Sequence, residues 1–146
     1  MGRLDRLLGR RVYLDANVLV YALEGTPDVR ALALGVLDAV DAGLLSACTG
    51  EITLAEVLVV PYRTGAASLV DAYEALLGPA SPIDVWPTTA QTWRDAARLR
   101  SGATLRLPDA VHLATARQAG AEVFLTHDRR LASLTMARLA VELLAP

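Results

Sequence analysis

Four acidic residues stand where a carboxylate can do chemistry: Asp15, Glu56, Asp109 and Asp128. Asp15 follows directly on the apolar run Val12-Tyr13-Leu14, and a second apolar run, Val18-Leu19-Val20-Tyr21, follows it at helical spacing. This is the pattern of a buried parallel strand that delivers a carboxylate at its C-terminal end and turns into a helix. Ligands of open α/β sheets sit outside the carboxyl ends of the strands, near the reversal of strand order. Glu56 lies within the otherwise apolar Thr53-Leu54-Ala55-Glu56-Val57-Leu58-Val59-Val60, Asp109 follows Pro108 at a helix start, and Asp128 follows Val123-Phe124-Leu125-Thr126-His127. All four therefore belong at or just past the C-terminal edge of a sheet.

Each acid also suits a purely structural duty. Asp15 or Asn17 can cap the next helix. Thr53 and Glu56 can form a capping box, Asp109 can favour the positive end of its helix, and Asp128 can cap a short turn. Taken together, these structural readings weaken. Carboxylates gathered within a few ångströms repel, and burial raises their pKa values, so a cation is needed to hold them. Oxygen-only ligands select hard cations, here Mg²⁺ or Mn²⁺. A carboxylate-held metal with open water positions is suited to attack on a phosphodiester. No rival nucleophile is evident: the serines lack a nearby histidine pattern, and Cys48, in an apolar strand, reads as packing.

Composition narrows the chemistry further. All 14 basic residues are arginines. The absence of lysine excludes Schiff-base chemistry and Walker-type phosphate loops, while the planar guanidinium remains well suited to phosphate. A net charge of −2 argues against a generally basic nucleic-acid binder. Hydrophobic residues make up 53% and the mean hydropathy is +0.36, rich enough to expect apolar surface that meets a partner. The longest apolar segment, Ala31 to Ala47, is broken by Asp38 and Asp41, so no membrane span is expected. The arginines at the N-terminus are not followed by the apolar core of a signal peptide, and a single cysteine excludes an internal disulfide; both lead to the expectation of a cytoplasmic protein.

The elements that must position the acids follow from periodicity and punctuation. Met1 to Arg10 reads as a helical or loose arm. Strands are predicted over Arg11–Asp15, Leu44–Cys48, Ile83–Trp86, Glu122–Thr126 and Leu139–Leu143. Helices are predicted from Asn17 to Leu23, from Pro27 (capped by Thr26) to Ala42, and from Thr53 to Arg63, closed by Gly65. A fourth is marked by Leu69, Tyr73, Leu76 and Leu77. A fifth carries Thr88 and Gln91 as a capping box, with Trp93, Ala96, Ala97 and Arg100 along one side, and a sixth runs from Pro108 to Gly120. Asp128 to Ser133 reads as a turn of helix. Strands alternating with helices predict an α/β fold, a three-layer α/β/α sandwich around a mainly parallel sheet. With no internal repeat or dividing linker, residues 1–146 are expected to form one domain.

At this point the residues resemble a family. Tyr13-Leu14-Asp15-Ala16-Asn17-Val18-Leu19, Ile52-Thr53-Leu54-Ala55-Glu56-Val57-Leu58, Leu105 to Ala116 and Phe124-Leu125-Thr126-His127-Asp128-Arg129-Arg130-Leu131 resemble, in order and spacing, the motifs of PIN-domain ribonucleases of the VapC-like toxin group. The resemblance implies that Asp15, Glu56, Asp109 and Asp128 form the acidic metal site, with Asp15 and Asp109 central and Asn17 and Thr126 supporting. It implies Mg²⁺- or Mn²⁺-dependent cleavage of single-stranded or looped RNA, leaving a 5′-phosphate. It also implies a homodimer and a cognate antitoxin whose C-terminal segment covers the groove. His127 departs from the family, which often has Asn there; it reads as a solvent-facing turn residue. His112, one turn past Asp109, reads as a packed, hydrogen-bonded helix residue rather than a ligand. Arg63, Arg94, Arg98, Arg129 and Arg130 are candidates for the RNA backbone, although arginine must also serve ordinary solubility here. Other readings are a PIN-like RNA-processing nuclease outside a toxin pair, a phosphatase using Asp15, which the absence of lysine disfavours, and a non-catalytic protein-binding module.

Overall fold

The computed structural model describes residues 2–145. Met1 and Pro146, the ends of the expected 1–146 unit, lie outside the described residues. Five strands, β1 (Arg11–Leu14), β2 (Ser46–Gly50), β3 (Asp84–Trp86), β4 (Val123–Thr126) and β5 (Ala140–Leu143), form one sheet in the order β3-β2-β1-β4-β5, with every neighbouring pair parallel. Six helices cover it: α1 (Ala16–Glu24), α2 (Pro27–Asp41), α3 (Ile52–Thr64), α4 (Ala67–Leu76), α5 (Ala90–Gly102) and α6 (Leu107–Gln118). Short 3-10 turns occupy Leu4–Arg6, within the expected arm, and Arg129–Leu131.

The three layers follow from the period of two along each strand. Val12, Leu14, Ala47, Val123 and Leu125 face a core built with Val18 and Leu19 of α1, Val36 and Val40 of α2, Val57 of α3 and Tyr73 of α4. The alternate residues Tyr13, Cys48 and Phe124 face the opposite side, where Leu113 and Ala116 of α6 meet them. Residues 110–116 of α6 are all buried. Both faces of the central strands are thus covered, as a parallel sheet requires.

The order of strands places the reversal at β1, which pairs with β2 on one side and β4 on the other. The C-terminal ends of β1 and β4 consequently lie side by side, and the Asp15 N–H donates to the Leu125 carbonyl at 3.0 Å. At the other end of the sheet Arg11 ties several segments: Nε donates to Ala119 O at 2.7 Å, Nη1 to Ser46 Oγ at 2.8 Å, and Nη2 to Asp84 at 3.1 Å.

Several local expectations are corrected. β2 is shifted toward its C-terminus: Leu44 is 53% exposed, while Thr49 and Gly50, beyond the predicted end of the strand at Cys48, pair with Val85 and Trp86. Gly50 is needed there for close approach, because a Cβ would come within 2.9 Å of the Tyr13 hydroxyl. The capping box of α5 is Thr89 with Thr92, one residue later than expected, and Gln91 instead donates to Asp95 at 2.9 Å. The buried side of α5 carries Thr92 and Ala96, leaving Trp93 half exposed. Thr26 occupies the cap position of α2, but its hydroxyl makes no capping hydrogen bond. No helix among the described residues is long and apolar enough to cross a membrane.

Candidate active site

Asp15 is the pivot. Only 7% exposed, it caps α1 and also reaches across to β4, so the capping and site readings are compatible. Its Oδ1 accepts the Ala16 N–H at 2.8 Å, and its Oδ2 accepts the Thr126 hydroxyl at 2.7 Å and the Asn17 amide at 3.2 Å. Asn17 extends this link: its Nδ2 donates to Thr126 Oγ1 at 3.1 Å, and its Oδ1 accepts the His127 N–H at 3.0 Å. Thr126 Oγ1 in turn accepts the Asp128 N–H at 3.0 Å. Asn17 and Thr126 therefore join the ends of β1 and β4 with hydrogen bonds.

Glu56 comes to the site through His112. Thr53 does not cap it: α3 starts at Ile52, and the Thr53 hydroxyl pairs with that of Thr49 at 2.7 Å. Instead the Glu56 carboxylate makes a short hydrogen bond with His112 Nε2, which also lies 3.7 Å from Asp15 Oδ1. Burial would pull the His112 pKa down, but the bond to Glu56 and the charges of Asp15, Glu56 and Asp109 outweigh it and raise it.

Asp109 and Asp128 meet at Arg130. Asp128 caps the 3-10 turn through the Arg130 N–H at 2.9 Å and also accepts Arg130 Nε at 3.0 Å, while Nη2 pairs with its second oxygen. This arginine holds the Asp128 carboxyl below the usual range. Arg130 Nη2 lies 3.7 Å from Asp109, as does Arg106 Nε. The Asp109 carboxyl is nevertheless raised: desolvation is the largest cause, Arg130 and Arg106 oppose it, and the charges of Asp15 and Asp128 add to it.

All four acids are thus linked, Asp15 with Glu56 through His112, Asp15 with Asp128 through Thr126, and Asp128 with Asp109 through Arg130. Among the described residues, however, no three acidic, histidine or cysteine side chains gather as a ready metal-binding group. The donor chemistry suits a hard divalent cation, being all carboxylate oxygen with mutual repulsion felt at Asp109. In the arrangement present, guanidinium groups answer part of that demand.

Of the arginines considered for RNA, Arg129 and Arg130 flank the acids on their 3-10 turn. Arg63 on α3 and Arg94 and Arg98 on α5 are exposed, and none of them forms an ion pair with the four acids among the described residues. His127 is not the solvent-facing residue expected: it is half-buried, its ring packed on Tyr21 with centroids 4.5 Å apart. His112 is packed and hydrogen-bonded as expected. The residue overlooked is Tyr13, whose hydroxyl lies 2.7 Å from His112 Nδ1. Its signal was available: a phenol on the buried face of a central strand needs a polar partner.

The model of the PIN domain family matches residues 12–135. No curated protein matches the chain significantly. Among solved structures, the chain is similar to VapBC2 from Rickettsia felis bound to a DNA fragment from their promoter (TM-score 0.65, 19% identity, covering 91% of this chain and 98% of that one). It is also similar to a toxin–antitoxin complex from Klebsiella pneumoniae (TM-score 0.64, 20% identity, 88% and 95% covered) and to FitAcB from Neisseria gonorrhoeae (TM-score 0.61, 22% identity, 89% and 95% covered). At these identities the likeness is one of fold.

Proposed function

The chain belongs to the PIN-domain family, and on that premise we propose that it is a metal-dependent endoribonuclease acting as the toxin of a toxin–antitoxin pair. The observation that carries the reading is the linking of four carboxylates, from four separate segments, at the C-terminal edge of a parallel sheet. The fold-level likeness to a toxin–antitoxin complex supports the biological half of it.

In this reading residues 1–146 form a single nuclease unit working in the cytoplasm. Asp15 and Asp109 are the central ligands of Mg²⁺ or Mn²⁺, with Glu56 and Asp128 completing the acidic site. A metal held there would supply an activated water and charge neutralisation at the scissile phosphate. The residues of the chain do the rest. Thr126 and Asn17 orient Asp15 through its Oδ2, leaving its carboxylate one fixed direction. Arg130 and Arg129, beside the acids, receive the RNA phosphates, and release of Arg130 from Asp109 and Asp128 frees those carboxylates. Arg63, Arg94 and Arg98 extend the basic surface available to RNA. The partners are single-stranded or looped RNA, a second copy of the chain in a homodimer, and a cognate antitoxin whose basic side chain would meet the same acids.

Total RNA incubated with the purified chain, freed of any bound partner, tests the reading. Discrete fragments bearing 5′-phosphates are expected with Mg²⁺ or Mn²⁺ and are lost with chelator. Fragments that persist in chelator, or that carry cyclic phosphate ends, would refute a metal-activated water.

A further inference from the structure

Glu56 has no support from its own helix. Its side chain is 40% exposed, and among the described residues its carboxylate has one hydrogen-bond partner, His112 Nε2. Left alone, a long acidic side chain on an exposed helix face samples several rotamers, and ordering it costs entropy. The sequence does contain Thr53 three residues before it, but that hydroxyl is engaged with Thr49.

His112, by contrast, is locked. It is 1% exposed, on the helix that packs against the sheet. Its Nδ1 lies 2.7 Å from the Tyr13 hydroxyl, and the two rings meet edge to face with centroids 5.7 Å apart. Tyr13 is itself fully buried and stacked on Phe124 at 5.2 Å. Space for its hydroxyl depends on Gly50, where any Cβ would stand 2.9 Å away. The Glu56 carboxylate only accepts, so His112 Nε2 carries a proton; in the neutral ring Nδ1 then accepts from the Tyr13 O–H. Three segments thereby form one chain of hydrogen bonds, β1 to α6 to α3, ending on Glu56, and the same His112 Nε2 that meets Glu56 lies 3.7 Å from Asp15 Oδ1.

We propose that His112, held in one orientation by Tyr13, is the positioning residue that orders Glu56 near Asp15 and so completes the acidic site. The proposal rests on the nuclease reading given above. It assigns His112 no contact with RNA or metal. The role is that of an outer partner that orients a ligand, a kind of residue whose loss commonly lowers metal affinity 10- to 100-fold.

A double-mutant cycle tests it, reading Mn²⁺ affinity by titration calorimetry beside RNA cleavage, with thermal melts to establish folding. His112→Leu should weaken Mn²⁺ binding about tenfold or more, and His112→Gln, which keeps a donor near Nε2, should recover part of that loss. Tyr13→Phe preserves the packing of the ring and should weaken binding severalfold. In a Glu56→Gln background both His112→Leu and Tyr13→Phe should have little further effect, because their influence passes through Glu56. If His112→Leu does not fold, Tyr13→Phe carries the same cycle. Unchanged affinity and cleavage in folded His112→Leu or Tyr13→Phe would overturn the proposal, as would equal losses with and without Glu56. A wild-type chain that neither binds Mn²⁺ nor cleaves RNA would instead overturn the nuclease reading, and this one with it.

Discussion

At the scale of single residues, the site is defined as much by its cations as by its acids. Arg130 is the residue that reaches both Asp128 and Asp109. A divalent cation seeking those oxygens must compete with it. Arg130→Gln is therefore expected to tighten Mn²⁺ binding severalfold while weakening RNA binding, both measured on the same preparation; weaker Mn²⁺ binding in the variant would show that Arg130 supports the metal site instead. Cys48 is a contrasting case. Burial pushes its thiol up to about 11, and its Sγ lies 3.7 Å from the Val12 carbonyl inside the sheet. It should resist alkylation near pH 8 in the folded protein and react once the chain is unfolded; rapid native labelling would contradict its packing role. Asp15 was legible in the sequence because a strand end followed by a helix start announces itself locally, whereas Asn17 and Thr126 were pointed to by the family resemblance alone. The partners of Glu56 were not, because they depend on which helix lies opposite, and Tyr13 and His112 are 99 residues apart.

At the scale of elements, alternation of apolar strands and amphipathic helices was enough to place every strand and helix within a few residues. The errors have a common physical origin. β2 ends where its pairing with β3 ends, not where its hydrophobicity ends, so Thr49 and Gly50 joined the sheet. The start of α5 was decided between adjacent threonines by tertiary packing, since Thr92 also donates to Gln118 on α6 at 3.0 Å. That helix pair is further tied by Asp95, which accepts from Gln118 and Gln91, each at 2.9 Å, and from Arg98 at 2.9 Å. Gln118, then Gln91, then Arg98 hold the Asp95 carboxyl below its ordinary value. A depressed native pKa contributes stability that is present above the unfolded value and lost as pH falls through the native one. As the pH falls below about 4, the unfolded carboxyl value, the wild-type chain should therefore lose more stability than Asp95→Asn, measured by urea unfolding at each pH. Parallel losses in the two proteins would mean that Asp95 does not link α5 to α6 in solution.

At the scale of the whole molecule, the strand order β3-β2-β1-β4-β5 brings distant acids together. Reversal at β1 sets the ends of β1 and β4 side by side, α3 follows β2 on one flank, and α6 presents Asp109 and His112 from the opposite layer. The sequence could suggest this convergence from the four motifs, but it carried no distances and did not reveal that arginines would stand among the acids. Under the proposed function, this convergence makes a metal-dependent ribonuclease. The most direct measurement is the rate of RNA cleavage by wild-type, Asp15→Asn and Asp109→Asn proteins, purified identically and assayed with Mn²⁺ and with chelator. Each variant should remain folded by its melting curve while losing metal-dependent cleavage by about a hundredfold or more. Cleavage that survives at the wild-type rate in a folded Asp15→Asn protein would contradict that function.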